Sequence, residues 1–393
     1  MTPVTDPPHP AAPPRHAGNT PYRLLDAWRG VAALWVVMLH VRLENTPVLL
    51  YQFSAGGHLG VPMFFVISGY CIANAAVRSL DAPRPVAHFI TARVRRIYPP
   101  YLLASLAAAV LSLLLTFLVR RHVVQGSQIA DLDLLHQSWR FYVGALTLMQ
   151  LPLHTSFLIR VLWSLCYEAA FYVIVALLLL CAVRTRQTPR LLDALAVLTV
   201  GALLWHGLGG GSSPFPWGLW PQFGLGALVY QILAQPGRRG PQAAFVLCGV
   251  LVICDAVRHG GVGTIDGISG GFQDLFTLIF AAVLLLLFRW DAWLTGRWPV
   301  RMLSWVGLFS YSLYLIHLLA LGIVTQGLGR LHGLGGHPLV LYGVKLVVCV
   351  VVGRVFFQFC ERPFMDTRQR QARREARREA LRMNDRDRAR TSE

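Results

Sequence analysis

Residues 24–41 read LLDAWRGVAALWVVMLHV, an apolar segment that nevertheless contains Asp26, Arg29 and His40. A transmembrane helix needs roughly 20 predominantly apolar residues, and stretches of this kind recur along the chain. Ten of them can be drawn, at residues 24–42, 59–77, 98–119, 158–183, 191–207, 216–234, 243–258, 272–288, 303–326 and 338–360. The sequence therefore predicts an all-α, polytopic membrane protein with about ten transmembrane helices.

The composition supports the same class. Of the 393 residues, 55% are hydrophobic and only 14% are charged, whereas about a quarter of the residues of a soluble protein are charged. The net charge is +17, and Lys345 is the single lysine. No aromatic residue interleaves the arginines of the C-terminal tail, so no nucleic-acid partner is expected. The seven cysteines lie in apolar stretches without a CxxC pair, which argues against disulfides and metal sites.

The distribution of arginine predicts the orientation. If both termini are cytoplasmic, the loops on that side and the N-terminus hold 15 arginines before the tail is counted, and the opposite loops hold six. Cytoplasmic loops of membrane proteins carry the excess of basic residues, so we expect both termini in the cytoplasm. Residues 1–22, rich in proline, are expected to be disordered, and residues 364–393 to form a basic, charged cytoplasmic tail.

The first span has an unusual set of ionisable residues. A charge at mid-bilayer costs about 2.5–3.5 kcal/mol on insertion scales, so each one needs a reason. Arg29 and His40 are eleven positions apart, which places them on one helical face about 16 Å apart along the axis. Asp26 and Arg29 are spaced to form an ion pair. The plainer interpretation is that Asp26 and Arg29 are interfacial and that His40 is a packed, hydrogen-bonded histidine.

Two later spans carry buried ionisable residues as well. Glu168 lies close to the middle of the fourth span, and His317 lies in the ninth span at a depth similar to that of His40. Two histidines and a carboxylate at this depth suit a proton-transfer site, in which the glutamate would stabilise a charged imidazole. Their spacing is equally compatible with a proton-coupled transporter.

The third span is preceded by a pair of arginines. Arg93 and Arg96 lie on one helical face at the predicted cytoplasmic mouth, where guanidinium groups can bind phosphate through bidentate hydrogen bonds. Positive-inside topology and lipid headgroups explain the same two charges equally well.

Several stretches together resemble the integral-membrane acyltransferase 3 family, whose members O-acylate bacterial surface glycans and some secreted metabolites. The matching stretches are Arg23-Leu-Leu-Asp26-Ala-Trp-Arg29-Gly30, the Arg29-x10-His40 pair, Phe64-Phe65-Val-Ile-Ser68-Gly69-Tyr70, Arg93-Val-Arg-Arg96-Ile-Tyr-Pro99, Trp163-Ser-Leu-Cys-Tyr-Glu168-Ala-Ala-Phe171-Tyr172, Ser310-Tyr-Ser312-Leu-Tyr314-Leu-Ile-His317 and Glu361-Arg-Pro363. They occur in the family's order, from residue 23 to about 363. Tyr70 departs from the family's pattern, since phenylalanine is common at that position.

The resemblance implies a transmembrane acyltransferase domain over residues 23–363, in the inner membrane of a bacterium. It also implies acyl-CoA, usually acetyl-CoA, as the donor substrate, with no bound cofactor and no metal. His40 resembles the essential catalytic histidine and Arg29 its motif partner, while Glu168 and His317 match recurrent positions to which we assign supporting catalytic roles. Arg93 and Arg96 resemble the family's arginine motif and fit the phosphates of CoA.

The resulting hypothesis is O-acetyl transfer from cytoplasmic acetyl-CoA to a hydroxyl group of a glycan or glycolipid. Some family members carry a C-terminal SGNH hydrolase-like domain, whereas this sequence ends in a charged tail of about 30 residues. Any relay of the acyl group on the periplasmic side is therefore expected to use this protein alone or a separate partner. Macrolide-like metabolites and peptidoglycan stay open as acceptors, and acyl groups longer than acetyl stay open as well. A proton-coupled transporter or flippase is the alternative from a different class, and a receptor or scaffold would explain neither the histidines nor the arginines.

Overall fold

The structure, a computed structural model, describes residues 22–43, 45–121, 134–186, 190–209, 214–258, 270–328 and 337–365. Every regular element within those ranges is a helix, in agreement with the predicted all-α class. The segment predicted to be disordered at residues 1–22 and the basic tail predicted at residues 364–393 lie almost wholly outside the described residues.

The first eight α-helices are α1 (Leu24–Val41), α2 (Val48–Ala55), α3 (Gly60–Ser79), α4 (Pro85–Arg120), α5 (Trp139–Thr147), α6 (Trp163–Arg184), α7 (Leu191–Gly209) and α8 (Trp220–Ala234). The remaining seven are α9 (Arg239–Arg258), α10 (Gly270–Leu287), α11 (Asp291–Thr295), α12 (Trp298–Gly307), α13 (Ser310–Leu328), α14 (Pro338–Phe356) and α15 (Arg362–Met365). A π-helical turn, Phe357–Glu361, joins α14 to α15.

Each of the ten predicted apolar stretches coincides with a helix. Within the described ranges, seven helical stretches are long and apolar enough to cross a membrane, or eight if α12 and α13, which meet at a bend of 69°, count as one. The two others are shorter: the apolar part of α7 is Leu191–Trp205, and α8 has 15 residues. The multi-pass character is confirmed, whereas the count of ten is not.

The helix α8 is surrounded by other helices, and nearly all of its residues are buried. Its closest neighbour is α3, which it meets at two glycines. A Cβ atom added at Gly69 would overlap the backbone carbonyl oxygen of Phe223, and one added at Gly226 would overlap that of Val66. Small residues that let backbones touch are the usual basis of helix association in membranes, so this contact fixes one wall of the bundle.

The helix α1 is fixed in the same way and is also capped. Gly30 and Gly307 bring α1 and α12 into backbone contact, again without room for a Cβ atom. At the start of α1, the backbone N–H groups of Arg23 and Leu24 donate to the carboxylate of Asp291 at 3.2 and 2.7 Å. These bonds satisfy N–H groups that a helix leaves without partners, and they place a negative charge at the positive end of its dipole. The cap therefore comes from α11 and not from α1 itself.

The glycine contact can be tested by Gly69→Ala, with Gly343→Ala on α14 as the matched control. Gly69→Ala forces α3 and α8 apart, and overpacking of this kind costs about 1–3 kcal/mol. A Cβ atom at Gly343 meets nothing within 4 Å, so the same change there should be neutral. We expect a melting temperature several degrees lower for Gly69→Ala alone, measured by thermal unfolding in detergent. Equal melting temperatures for the two variants would contradict the proposed packing.

Candidate active site

A cavity opens between α1, α3, α4, α6 and α13. Its empty space, including the open mouth, is about 740 Å³. One end is polar and the other is mainly apolar. Contacts among the lining residues define the two ends. Ser68, Glu168, Tyr172 and Arg93 contact one another, and Arg29 and Arg96 are electrostatic neighbours of Glu168. At the other end Tyr314 contacts Phe64 and Ser164, and Val61 and Leu165 follow next to these two along their helices.

Three arginines from two helices meet at the polar end. Arg29 comes from α1, and Arg93 and Arg96 come from successive turns of α4. The Nε atoms of Arg29 and Arg93 are buried without a hydrogen-bond partner. Arg93 also lies over the ring of Tyr172, with 6.0 Å between its guanidinium carbon and the ring centroid. Arginine donors that face a cavity without partners are suited to an anionic ligand.

The expected ion pair between Asp26 and Arg29 is not formed. Asp26 is exposed, and within the described ranges neither residue takes part in a direct ion pair. The helical spacing is right, but Arg29 points into the cavity, where Glu168 and Arg96 are among its electrostatic neighbours.

Glu168 lies at the polar end and not at the histidines. One of its carboxylate oxygens accepts hydrogen bonds from Ser68 Oγ at 3.1 Å and from the Tyr172 hydroxyl at 2.5 Å. The described residues include no contact between Glu168 and His40, so the expected support of the His40 imidazole by this carboxylate is not seen. Glu168 is instead an electrostatic neighbour of Arg29 and Arg96.

His40 and His317 are in direct contact. His40 Nδ1 lies 3.3 Å from His317 Nε2, and the ring centroids are 5.0 Å apart. His317 is fully buried, whereas His40, near the end of α1, is exposed.

Backbone carbonyls determine the tautomers of the neutral pair. His40 Nδ1 is 2.9 Å from the carbonyl oxygen of Val36, and His317 Nδ1 is 2.8 Å from that of Tyr314. Because a carbonyl oxygen only accepts, both Nδ1 atoms must carry the hydrogen. The single His40 Nδ1–H then donates mainly to the Val36 carbonyl at 2.9 Å and, as a longer second branch, to His317 Nε2 at 3.3 Å, and His40 Nε2 keeps a free lone pair. This is the arrangement that a general base or a nucleophile requires.

Tyr314 stands between the cavity and the histidine pair. Its hydroxyl donates to the Val161 carbonyl at 2.9 Å and lies 2.7 Å from Ser164 Oγ. Its ring centroid is 6.0 Å from that of Phe64 on the cavity side and 6.0 Å from that of His317 on the other.

Sequence reasoning assigned no role to several of these residues. Ser68, Tyr172, Ser164 and Tyr314 stand in the stretches that carry the family resemblance, but a hydroxyl in an apolar helix gives no separate signal. Glu361 gives a clearer signal in the sequence, because it is an acidic residue at the end of an apolar stretch. It is 2% exposed, accepts a hydrogen bond from Ser312 Oγ at 2.5 Å, and is an electrostatic neighbour of Arg96 and Arg29.

A search of the described ranges for three or more His, Cys, Asp or Glu side chains that could together hold a metal ion finds none.

Comparison with known proteins gives a consistent result. A protein of Komagataeibacter xylinus named as the membrane-bound transacylase BcsY is 28% identical over 372 residues, covering 89% of this chain and 86% of its own. A Bacillus subtilis protein named as the peptidoglycan O-acetyltransferase YrhL is 25% identical over 372 residues, which is 86% of this chain. Proteins of several Staphylococcus aureus strains named as O-acetyltransferases are 23% identical over 374 residues.

The extent of these matches differs. The chain spans 54% of the Bacillus protein and 56% of the Staphylococcus proteins, so it corresponds to about half of each. No solved structure matches. The acyltransferase 3 family model, described as an acyltransferase domain, matches residues 22–357, which include every residue of the cavity and the histidine pair. This chain therefore belongs to the acyltransferase 3 family, and it is a multi-pass membrane acyltransferase.

Proposed function

We propose that the protein transfers an acyl group, most simply acetyl, from cytoplasmic acyl-CoA to a hydroxyl of a cell-surface polysaccharide or a lipid-linked glycan. The observation that carries this proposal is the arrangement of the cavity, with three arginines at one end and an imidazole pair behind the other. An acyl-CoA matches this arrangement, because its phosphates are at one end and its thioester is at the other.

The arginine end is the proposed site for the phosphates of CoA. Guanidinium groups bind phosphate oxygens through paired, charge-assisted hydrogen bonds, and Arg29, Arg93 and Arg96 line the same end of the cavity. Glu168 and Glu361 offset part of their charge without occupying the unpartnered Nε atoms. We infer that these carboxylates reduce the repulsion among the three arginines and leave the arginine N–H donors available to an anion.

The histidine end is the proposed site of acyl transfer. Arg29 and His40 are about 16 Å apart along α1, so an extended donor bound by its phosphates directs its thioester towards His40. In the transfer step, His40 Nε2 takes the proton of the acceptor hydroxyl, the oxygen bonds to the acyl carbon, and the carbon–sulfur bond breaks. The proton passes to the sulfur, and free CoA leaves as the thiol. His317 positions His40 by sharing its Nδ1–H with the Val36 carbonyl. In an alternative route, His40 Nε2 first takes the acyl group as a transient acyl-imidazole and then passes it to the acceptor hydroxyl.

We propose ten transmembrane helices in the bacterial inner membrane, with both termini in the cytoplasm, the orientation that the distribution of arginine favours. In this topology the arginine end of the cavity faces the cytoplasm, where acyl-CoA is found. His40 and His317 then lie towards the opposite surface, where a glycan acceptor arrives. The names of the Staphylococcus and Bacillus relatives agree with O-acetylation. As acceptor we propose a surface glycan in preference to peptidoglycan and macrolide-like metabolites.

Mass spectrometry of surface polysaccharide tests the proposed reaction directly. Cells that make the wild type should show an acetyl-sized mass increment, and cells with His40→Ala should not, because the base is missing. The control is His337→Ala, an exposed histidine that precedes α14, and it should keep the increment. Identical polysaccharides with and without the protein would contradict the surface-glycan proposal, and peptidoglycan and secreted metabolites would then be tested as acceptors.

Substitution of Arg96 should weaken donor binding. We expect Arg96→Ala to raise KM for acetyl-CoA about 10- to 100-fold, the loss of one charged hydrogen-bond donor, with a smaller change in kcat. Arg96→Lys should recover part of the loss because it keeps the charge. Arg95, exposed and outside the cavity lining, provides the control Arg95→Ala. If Arg95→Ala and Arg96→Ala weaken CoA binding equally in titration calorimetry, the charges act as a general basic surface and not as a site.

The histidine contact makes a separate prediction. His317→Leu removes the second acceptor of the His40 Nδ1–H, beside the Val36 carbonyl, and we expect kcat to fall by up to about tenfold, the equivalent of one hydrogen bond. His317→Gln keeps an acceptor oxygen and should lose less. Both variants should be assayed at saturating acetyl-CoA, where donor affinity does not contribute. An equal loss in the two variants would argue that His317 acts through packing alone.

A further inference from the structure

The connection between α10 and α13, residues 288–307, lies at the end of the bundle where α1 begins. It consists of a 3₁₀ turn, α11 and α12. The Asp291 carboxylate caps α1 at Leu24, and α12 contacts α1 at Asp26 and Gly30, within the first two turns of α1. With ten residues, α12 is about 15 Å long, half of what a membrane crossing requires, and it meets α13 at a bend of 69°. This position and length indicate a helix at the membrane surface.

The helix α12 has two faces of different character. On one face, the backbones of Leu303 and Gly307 contact α1. On the opposite face, Trp298, Met302 and Trp305 are 67%, 51% and 45% exposed. Their spacing of four and three residues places them in one apolar stripe along the helix. An exposed apolar stripe that contains tryptophan is typical of a helix that lies in the membrane–water interface.

Exposed arginines accompany the tryptophans of this connection. The guanidinium carbon of Arg289 lies 4.0 Å from the ring centroid of Trp290, and that of Arg297 lies 4.2 Å from the ring centroid of Trp293. Arg301 is exposed on α12. Within the ranges that the structure describes, no carboxylate forms an ion pair with any of the three arginines. A guanidinium stacked on an aromatic face keeps the N–H donors at its edge available, and these donors match the oxygens of a phosphate group.

The charge and the apolar stripe together specify the ligand. A free phosphate ion would satisfy the arginines but leave the stripe of α12 uncovered, and a neutral lipid would cover the stripe without satisfying the arginines. In the proposed topology this end of the bundle faces the cytoplasm, and the cytoplasmic leaflet carries a negative surface potential. We propose that α11 and α12 form a surface site for anionic phospholipid, in which Arg289, Arg297 and Arg301 bind the headgroup phosphate and the stripe of α12 contacts the acyl chains.

A lipid at this site acts on the helix that carries Arg29 and His40. Asp291 in α11 caps α1, and Gly307 in α12 is in backbone contact with it. A lipid that holds α11 and α12 at the membrane surface therefore stabilises the position of α1 as well. This inference goes beyond the proposed acyl transfer and does not depend on it, because binding and stability can be measured without a reaction.

The test is thermal unfolding of the purified protein in a neutral detergent with increasing amounts of phosphatidylglycerol or of phosphatidylcholine with the same acyl chains. Phosphatidylglycerol should raise the melting temperature more, because a ligand that binds only the folded state stabilises it. The double variant Arg289→Gln/Arg297→Gln should need roughly 25-fold more phosphatidylglycerol for the same rise, about fivefold for each arginine near an anionic surface. The control is Arg140→Gln on α5, where Arg140 is also exposed and lies 5.9 Å from the ring centroid of Trp139. This control should respond as wild type does.

Equal rises with the two lipids, or a double variant that responds as wild type does, would overturn the inference. A loss of response in Arg140→Gln as large as in the double variant would also overturn it, because surface charge in general would then be the cause. Glycerol 3-phosphate, a headgroup without acyl chains, should leave the melting temperature unchanged, and a rise equal to that with lipid would assign the arginines to a free anion instead.

Light scattering tests whether a second copy of the chain covers the stripe. A dimer in detergent that Trp298→Ala converts to a monomer would assign this face to a second copy and overturn the lipid site. Should the double variant fail to fold, the single variant Arg297→Gln replaces it. A shift of about fivefold is then expected, and no shift counts against the inference.

Discussion

The backbone contact between α1 and α12 supports the whole site, because α1 carries both Arg29 and His40. Gly30 and Gly307 allow the two helices to touch, and the Asp291 carboxylate just before α12 caps the first turn of α1. The helix is thereby fixed laterally by packing and along its axis by hydrogen bonds. The positions of a guanidinium group and an imidazole about 16 Å apart then follow from helix geometry alone.

The arginines and glutamates inside the bundle compensate each other's charge. Three guanidinium groups in a largely apolar surrounding would repel one another strongly, yet Glu168 and Glu361 lie among them. Hydroxyl groups donate to one oxygen of each carboxylate, from Ser68 and Tyr172 for Glu168 and from Ser312 for Glu361. The carboxylates are held by hydroxyl groups, while the Nε atoms of Arg29 and Arg93 have no hydrogen-bond partner.

The cavity and the histidine pair are neighbours, with Tyr314 between them. The ring that contacts Phe64 on the cavity side also contacts His317, and the backbone carbonyl of the same residue sets the His317 tautomer. Any movement of Tyr314 therefore changes the lining of the cavity and the position of the carbonyl that accepts from His317 Nδ1. This coupling gives a physical reason for the short spacing between Tyr314 and His317 on α13.

The sequence by itself determined the class of the protein, because long apolar segments have few folded solutions other than membrane helices. It also identified Arg29, His40, Arg93, Arg96, Glu168 and His317 as candidates, since a charge inside such a segment is costly. Only the tertiary structure decided which of them meet. Helical periodicity places Asp26 beside Arg29, and Asp26 is an electrostatic neighbour of that residue, but the two form no direct ion pair in the described residues, and Arg96 and Glu168 from α4 and α6 lie near Arg29 as well. Depth along each helix grouped Glu168 with His40 and His317. The two histidines do meet, but Glu168 bonds to Ser68 and Tyr172, because the lateral position of a helix in a bundle depends on side chains of other helices that no single segment encodes.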